Sequence, residues 1–120
     1  MCNVISYDGS NWFPTNLNVN LRAIVWTGTY WLAPGATTYK SFDGSNWISY
    51  AAPTYAVVGD QIGVEYNGNM FISFGSEGPA GTKFQYSFDG SNWTRNTSDT
   101  AFITVETVLW TGRMWIRAIS

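Results

Sequence analysis

Histidine is absent from this chain of 120 residues, and cysteine occurs only once, at Cys2. Without histidine, the chain lacks the usual general base near neutral pH and the commonest metal ligand. A single cysteine allows neither an internal disulfide nor a cysteine cluster for zinc. Catalysis would therefore have to rest on the eight carboxylates and the tyrosines. We expect no metal site and no cofactor.

Charged residues and long hydrophobic runs are also scarce. Charged side chains make up 12% of the chain, the net charge is -2 and the isoelectric point is about 4.7. Because the chain has few Lys and Arg side chains to bind phosphate groups, nucleic acid is not an expected partner. No apolar stretch reaches the roughly 20 residues that a membrane helix needs, and no basic and then apolar leader follows Met1. The sequence predicts a soluble protein without a membrane partner or a signal peptide.

Aromatic residues are abundant, at 18% of the chain, and they recur in two repeated signatures. The first is Ser-x-Asp-Gly-Ser-Asn-Trp, and we call its copies box 1, box 2 and box 3, at residues 6–12, 41–47 and 87–93. The second has glycine at its third position and an aromatic residue at its sixth, and we call its copies glycine turns 1, 2 and 3, at residues 26–31, 66–71 and 110–115. The chain thus contains three copies of a unit of about 40 residues, a period typical of repeat architectures.

Both signatures predict hairpins, because alternating apolar residues run into a glycine-containing turn and out again through an aromatic residue. In each box the aspartate can accept backbone hydrogen bonds, glycine supplies a positive φ and tryptophan covers the turn. Two hairpins per unit make a four-stranded antiparallel sheet. We expect the tryptophans at equivalent turn positions to be core residues: Trp12, Trp26, Trp47, Trp93 and Trp110.

The boxes resemble the Asp-box, or neuraminidase-type, repeat, whose fuller form is Ser-x-Asp-x-Gly-x-Thr-Trp. Here the box is one residue shorter, and Asn11, Asn46 and Asn92 stand in place of the threonine. In that family the box joins the third and fourth strands of a β-propeller blade and is structural. The resemblance implies a propeller with these structural residues: Ser6, Asp8, Gly9, Trp12, Ser41, Asp43, Gly44, Trp47, Ser87, Asp89, Gly90 and Trp93. It implies no single function, because the box occurs in glycosidases, binding proteins and assembly factors.

The order of the signatures divides the chain into half-blades and whole blades. We predict one all-β domain, 1–120, with a half-blade at 1–16, blades at 17–51 and 52–97, and a half-blade at 98–120. Each chain then has material for three four-stranded antiparallel blades, whereas a closed propeller typically needs four to eight. We therefore predict a homodimer that closes one six-bladed β-propeller.

At the predicted boundary, residues 1–16 of one chain complete the sheet begun by residues 105–120 of the other, which covers the unpaired strand edges. Arg22 and Glu106 occupy equivalent positions before their glycine turns, so we predict an ion pair between the two chains. The structural alternative is a monomeric β-trefoil, which also has three repeats of about 40 residues. A solution mass near the chain mass of 13.4 kDa would favour the trefoil, and twice that mass the propeller.

The connections between signatures vary in length, whereas the signatures keep their form. In a propeller these connections lie on one face, and variation confined to one face often marks a binding surface, although loops also drift. Small polar residues mixed with aromatics suit a carbohydrate, but they are also ordinary loop composition. The candidate ligand-binding residues are Tyr50, Tyr55, Asp60, Gln61, Glu65, Asp99 and Phe102.

We therefore predict a non-catalytic, lectin-like binding module for glycans. The alternatives are a structural or adhesive component of a viral or phage particle and, third, a glycosidase. Sialidases are six-bladed Asp-box propellers, but they need an arginine triad, a tyrosine nucleophile assisted by a carboxylate and an acid/base aspartate. This chain has four arginines, and Arg113 lies in a glycine turn, away from the candidate face. We do not expect an enzyme, and the sequence names no ligand, source or compartment.

Overall fold

A computed structural model describes residues 3–17, 19, 21–35, 37–51, 61–75, 84–95 and 105–119. Within these ranges the chain forms twelve β-strands in four antiparallel sheets and no helix. The all-β prediction is therefore confirmed. No part of the described chain forms a helix long and apolar enough to span a lipid bilayer.

The four sheets follow one another along the chain. Sheet 1 contains β1 (Val4–Ile5) and β2 (Phe13–Pro14). Sheet 2 contains β3 (Val25–Trp26), β4 (Trp31–Ala33), β5 (Thr37–Ser41) and β6 (Trp47–Ala51). Sheet 3 contains β7 (Gln61–Tyr66), β8 (Phe71–Gly75), β9 (Phe84–Ser87) and β10 (Thr94–Arg95). Sheet 4 contains β11 (Val105–Trp110) and β12 (Trp115–Ile119).

Each sheet is a meander in which every strand pairs with the next strand along the chain. The sheets have two, four, four and two strands, which matches the order of half units and whole units in the sequence. The described strands close neither a barrel nor a ring of sheets. The described part of the chain therefore contains two complete four-stranded sheets and two separate two-stranded ones.

Both signatures form the hairpin turns of these sheets. Positive φ values occur at six described glycines, three in the boxes and three in the glycine turns, and range from 78° to 98°. A residue with a Cβ rarely adopts this conformation, so glycine at these positions lets the strands reverse direction. The strand register is also repeated, because the last aromatic of the glycine turn lies opposite the box serine in both complete sheets. These pairs are Trp31 with Ser41 and Phe71 with Ser87.

Sheet 3 is packed on both faces, and all five residues of β8 are buried. Because successive side chains of a strand point to opposite faces, Phe71 and Ile72 serve different cores. The core between sheets 2 and 3 contains Leu32, Phe71 and Trp93, flanked by Val25, Tyr30, Val64 and Tyr66. The core between sheets 3 and 4 contains Ile72, Phe74 and Val108, flanked by Met70, Phe84, Tyr86 and Trp115.

The first strands of three sheets lie side by side. Strand β7 contacts β3 of the preceding sheet and β11 of the following sheet. Sheet 1 lies at the other side of sheet 2, where the backbone N–H of Asn16 donates to the Ser45 carbonyl at 3.1 Å. The Asn16 side-chain oxygen in turn accepts from the Trp47 backbone N–H at 2.9 Å. The sheets are therefore stacked in chain order, with sheets 1 and 4 at the two ends.

Candidate functional site: the boxes and the open sheet faces

The three boxes form the same hydrogen-bonded turn. In box 3, Asp89 Oδ1 accepts the backbone N–H groups of Ser91 and Asn92, both at 2.8 Å. The Ser87 hydroxyl donates to the same carboxylate at 3.0 Å and accepts the Gly90 N–H at 2.8 Å. Equivalent bonds form in box 1 and in box 2. The three boxes, whose sequences differ only in one aromatic residue, therefore build the same turn.

The asparagine of each box has a role that sequence reasoning did not identify. The side-chain amide donates to the second carboxylate oxygen at 2.7 Å for Asn11 and at 2.8 Å for Asn46 and Asn92. Its position is the one where the Asp-box pattern has threonine, so the only available signal was that the same substitution occurs three times. The asparagine thus completes the set of donors around the aspartate.

These hydrogen bonds lower the pKa of the three box carboxyls, Asp8, Asp43 and Asp89, well below the usual range. The largest cause in each is the backbone N–H of the box asparagine, followed by the asparagine side chain. Donors directed at a carboxylate stabilise its charged form. Three of the eight carboxylates of the chain are thus anions that hold turns together, and they are poorly suited to act as general acids.

Burial differs sharply between boxes whose aspartates have the same hydrogen bonds. Trp93 of box 3 is 3% exposed and donates through Nε1 to the Gly90 carbonyl at 3.1 Å. Trp47 of box 2 is half-buried and makes the same bond to Gly44 at 2.8 Å. Trp12 of box 1 is 58% exposed. The prediction that the turn tryptophans are core residues is confirmed for Trp93, whereas Trp12 and Trp26, which is 44% exposed, are exposed in the single described chain.

Most of the sequence-predicted ligand residues lie outside the described residues, namely Tyr55, Asp60, Asp99, Phe102 and the side chain of Gln61. Tyr50 is half-buried in β6, and its hydroxyl lies 3.4 Å from Ser91 Oγ of box 3. Glu65 is half-buried in β7, where it pairs with Ile72. Tyr50 and Glu65 therefore lie on different sheets, and the described chain brings no ligand-binding cluster together around them.

The structure also locates Arg22 and Glu106, the two residues predicted at the dimer boundary. Arg22 is exposed, shortly before β3. Glu106 is part of β11, but its side chain lies outside the described residues. The predicted ion pair between two chains stays a prediction.

A cation and three aromatic rings form one cluster on sheet 2. The Lys40 ammonium lies 4.6 Å from the centre of the Tyr30 ring, 5.9 Å from that of Phe42 and 6.0 Å from that of Tyr50. Burial raises the pKa of Tyr30 above its usual value. The cluster contains one of the predicted ligand residues, Tyr50, on a surface that also exposes Phe42.

Gln85 is a buried polar residue that sequence reasoning missed. It is fully buried in β9, and within the described chain neither of its side-chain amide atoms has a hydrogen-bond partner. A buried unsatisfied amide costs free energy, which makes this position unusual among the buried polar residues of sheet 3. Its neighbours across the sheet are Ser73 and Arg95.

Large apolar side chains are exposed on the open ends of the stack. On sheet 4 these are Leu109, Met114 and Ile116, and on sheet 2 they are Ile24, Trp26 and Trp31. A cavity of about 390 Å³ lies between sheets 1 and 2, and its walls include Ile5, Ile24, Trp31, Gly44 and Trp47. Exposed apolar area of this kind usually marks an interaction surface.

In the part of the chain that the structure describes, no three side chains of Cys, Asp or Glu are grouped so that they could hold a metal ion. Comparison with protein-family models, with curated proteins and with solved structures found no match to this chain.

Proposed function

We propose that this chain is a non-catalytic binding module of the Asp-box propeller type, and that two chains close one six-bladed ring. The strand numbers of the sheets, two, four, four and two in chain order, support this proposal. Two such chains contain enough strands for six four-stranded sheets. The contacts of β7 with β3 and β11 support it as well, since first strands lie next to each other around a propeller axis. Separate meanders favour a propeller over a trefoil.

The chemistry of the boxes supports a function without catalysis. The chain has no histidine, and three of its eight carboxylates are held as anions inside turns. A general acid for glycoside cleavage needs a carboxyl group whose pKa is raised, whereas the hydrogen bonds here lower it. The glycosidase alternative would depend entirely on the remaining carboxylates.

The single observation that carries a binding role is the contrast between the signatures and their connections. All three boxes have the same hydrogen bonds around their aspartates, and all six signature glycines have a positive φ. The connecting segments differ from one another in length and sequence. A rigid repeated framework with variable connections on one face is how repeat proteins present a binding surface. The connections combine small polar residues with Tyr55 and Phe102, so we propose a glycan as the ligand.

A glycan array probed with the purified, labelled protein tests this function. We expect binding to a restricted set of glycans, with loss of binding in Tyr55→Ala and Phe102→Ala. Tyr7→Ala is the matched control, because Tyr7 is 86% exposed in box 1, on the side of the signatures. Absence of any bound glycan, or loss of binding in the control alone, would contradict the proposal.

A further inference from the structure

We propose that a second copy of the chain covers both open ends of the stack through a defined strand register, with β12 of one copy pairing with β1 of the other so that Trp115 lies opposite Ser6. This inference rests on the two-chain ring proposed above. It adds the strand pairs and the side chains at the boundary between the two chains, which we call the seam. The occupant of the exposed apolar face is thus another copy of this chain. Each ring would contain the seam twice.

The register follows from the two complete sheets. Their second and third strands pair antiparallel, with Trp31 opposite Ser41 and Phe71 opposite Ser87. In the third unit the same two positions are Trp115 and Ser6, which lie near opposite ends of the chain.

Strand β12 pairs only with β11 and strand β1 only with β2, so within the described chain each has an open edge. Open edges are templates for strand pairing. Continuing from the pair of Trp115 with Ser6, the next pairs are Ile116 with Ile5 and Arg117 with Val4.

The packing between sheets 2 and 3 predicts which side chains meet at the seam. The preceding sheet contributes side chains three residues before, two after and four after the turn glycine: Val25, Tyr30 and Leu32. The following sheet contributes Val64, Tyr66 and Phe71, together with the box tryptophan Trp93. The same positions on sheet 4 are Leu109, Met114 and Ile116. The same positions on sheet 2 are Ile24, Trp26, Trp31 and Trp47.

All of these predicted seam residues except Trp47, which is half-buried, are exposed in the described chain. Leu109 and Met114 are each 52% exposed, whereas their counterparts Val25 and Tyr30 are half-buried. Ile116 is 50% exposed, whereas its counterpart Leu32 is fully buried. Trp31 is 36% exposed, whereas its counterpart Phe71 is 2% exposed. The repeat buries or half-buries these positions where a neighbouring sheet is present, so their exposure indicates a missing neighbour of the same kind.

The cavity between sheets 1 and 2 lies where this neighbour is expected. At the formed core, the Leu32 side chain approaches to 2.9 Å from the place where a Cβ on Gly90 would lie, next to Phe71. The equivalent glycine of box 2 is Gly44, which lines the cavity together with Trp31 and Trp47. By the same geometry, Ile116 of the second copy enters this cavity.

The chain's own ends are separated by the stack. Sheet 1 is hydrogen-bonded to box 2 of sheet 2, and sheet 4 packs on the far side of sheet 3. Two complete sheets therefore lie between β1 and β12 of one chain. Three units are also fewer than the four to eight that closed propellers use, and two chains give six.

Disulfide trapping tests the register. In a Cys2→Ser background, one chain would carry Val4→Cys and a second chain of different tag length Arg117→Cys, and the two would be refolded together. Directly opposite residues on neighbouring strands have Cβ atoms about 4.5–5.5 Å apart, close to what a disulfide requires. We expect a cross-linked heterodimer in the mixture and no cross-linked product from either chain alone.

The matched control pairs Val4→Cys with Ile116→Cys, which the register places on opposite faces of the sheet. Equal cross-linking of the control overturns the register, and absence of cross-linking in both mixtures overturns the seam. One chain that carries both Val4→Cys and Arg117→Cys gives a further test, because an internal disulfide in a monomer would mean that the chain closes on itself.

A charge substitution tests the seam without any cysteine. Light scattering should give the unmodified protein about twice the chain mass of 13.4 kDa. Ile116→Glu is expected to raise the dimer dissociation constant at least about 30-fold, as for a central interface residue. Ile48→Glu is the matched control, because Ile48 is 62% exposed on β6, outside the predicted seam. A monomeric unmodified protein, or equal effects of the two substitutions, would overturn the proposal.

The seam and the proposed function can fail separately. A ring that cross-links as predicted but binds no glycan leaves the seam intact and removes the proposed ligand. Glycan binding by a protein that is monomeric and does not cross-link removes the seam and leaves the binding function.

Discussion

Box 1 and box 3 have the same sequence except for one aromatic residue, and they have the same hydrogen bonds around their aspartates, but their surroundings differ. Asp8 and Asp89 each accept two backbone N–H groups at 2.8 Å. Trp93 is 3% exposed between two sheets, whereas Trp12 is 58% exposed on a sheet of two strands. The comparison teaches that the turn is a local structure and that its burial is supplied by neighbouring sheets.

The glycines of the two boxes show the same difference. A Cβ added to Gly90 would meet the side chains of Leu32 and Phe71, whereas one added to Gly9 would meet nothing within 4 Å. Leu32 belongs to the preceding sheet and Phe71 to the second strand of the same sheet. Box 1 has neither of these neighbours in the described chain, and both would come from the second copy in the proposed ring.

The largest effect on stability is expected from replacing the tryptophans of box 1 and box 3. Trp93→Ala should lower the free energy of unfolding by about 3–5 kcal/mol, because it leaves a cavity in a formed core. In an Ile116→Glu background that keeps the chain monomeric, Trp12→Ala should lower it by less than about 0.5 kcal/mol. Urea unfolding measures both, and equal losses in that background would show that Trp12 is covered by its own chain.

The second pair of substitutions sharpens the comparison at the glycines. Gly9→Ala should cost about 1–2 kcal/mol of stability, since alanine is strained at a φ of 80°. Gly90→Ala should cost about 1–3 kcal/mol more, because its Cβ would lie 2.9 Å from Leu32 Cδ2. Thermal and urea unfolding of the two variants check this order, and Leu32→Val should recover part of the loss only for Gly90→Ala. An equal cost at both glycines would contradict the difference in packing.

Acid should affect the two boxes alike. Their carboxyl pKa values are lower in the folded chain than the value of 3.8 for a free side chain, so the unfolded chain binds protons more readily. The stabilisation is complete above about pH 4, and it is lost as the pH falls from there towards the folded pKa values. Asp8→Asn and Asp89→Asn should each flatten the decline in stability between about pH 4 and pH 2. Measuring the free energy of unfolding across this pH range checks the prediction, and an unchanged decline in both variants would disprove it.

The smallest expected effect concerns the contact between sheets at box 3. Tyr50→Phe removes a hydroxyl that lies 3.4 Å from Ser91 Oγ, and such a long hydrogen bond should contribute no more than about 0.5 kcal/mol. Ser91→Ala should have a similar effect, and the double variant should add nothing further. Ser10→Ala, the equivalent change in box 1, is the control, and a larger loss there would reverse the comparison.

Much of the fold could be predicted from the repeats. The boxes and glycine turns indicated six of the eight reversals between consecutive paired strands, and the order of half and whole units matches the four sheets. The role of the box asparagines was not predicted, because it depends on where the Asn92 amide points within the turn. The candidate site was less accessible to sequence reasoning, since Tyr50 contacts a neighbouring sheet and Tyr55 and Phe102 belong to connections outside the described residues.

The sequence by itself determined the turns, because each is held by hydrogen bonds between residues no more than three positions apart and by a glycine with positive φ. Only the tertiary structure decided which copies of a repeated residue are buried. Trp12 and Trp93 stand at the same position of the same motif, but their exposure differs because a core forms only where a second sheet lies against the first. Hydrogen bonds within a turn are local, whereas the burial of apolar surface depends on what the rest of the assembly places beside it.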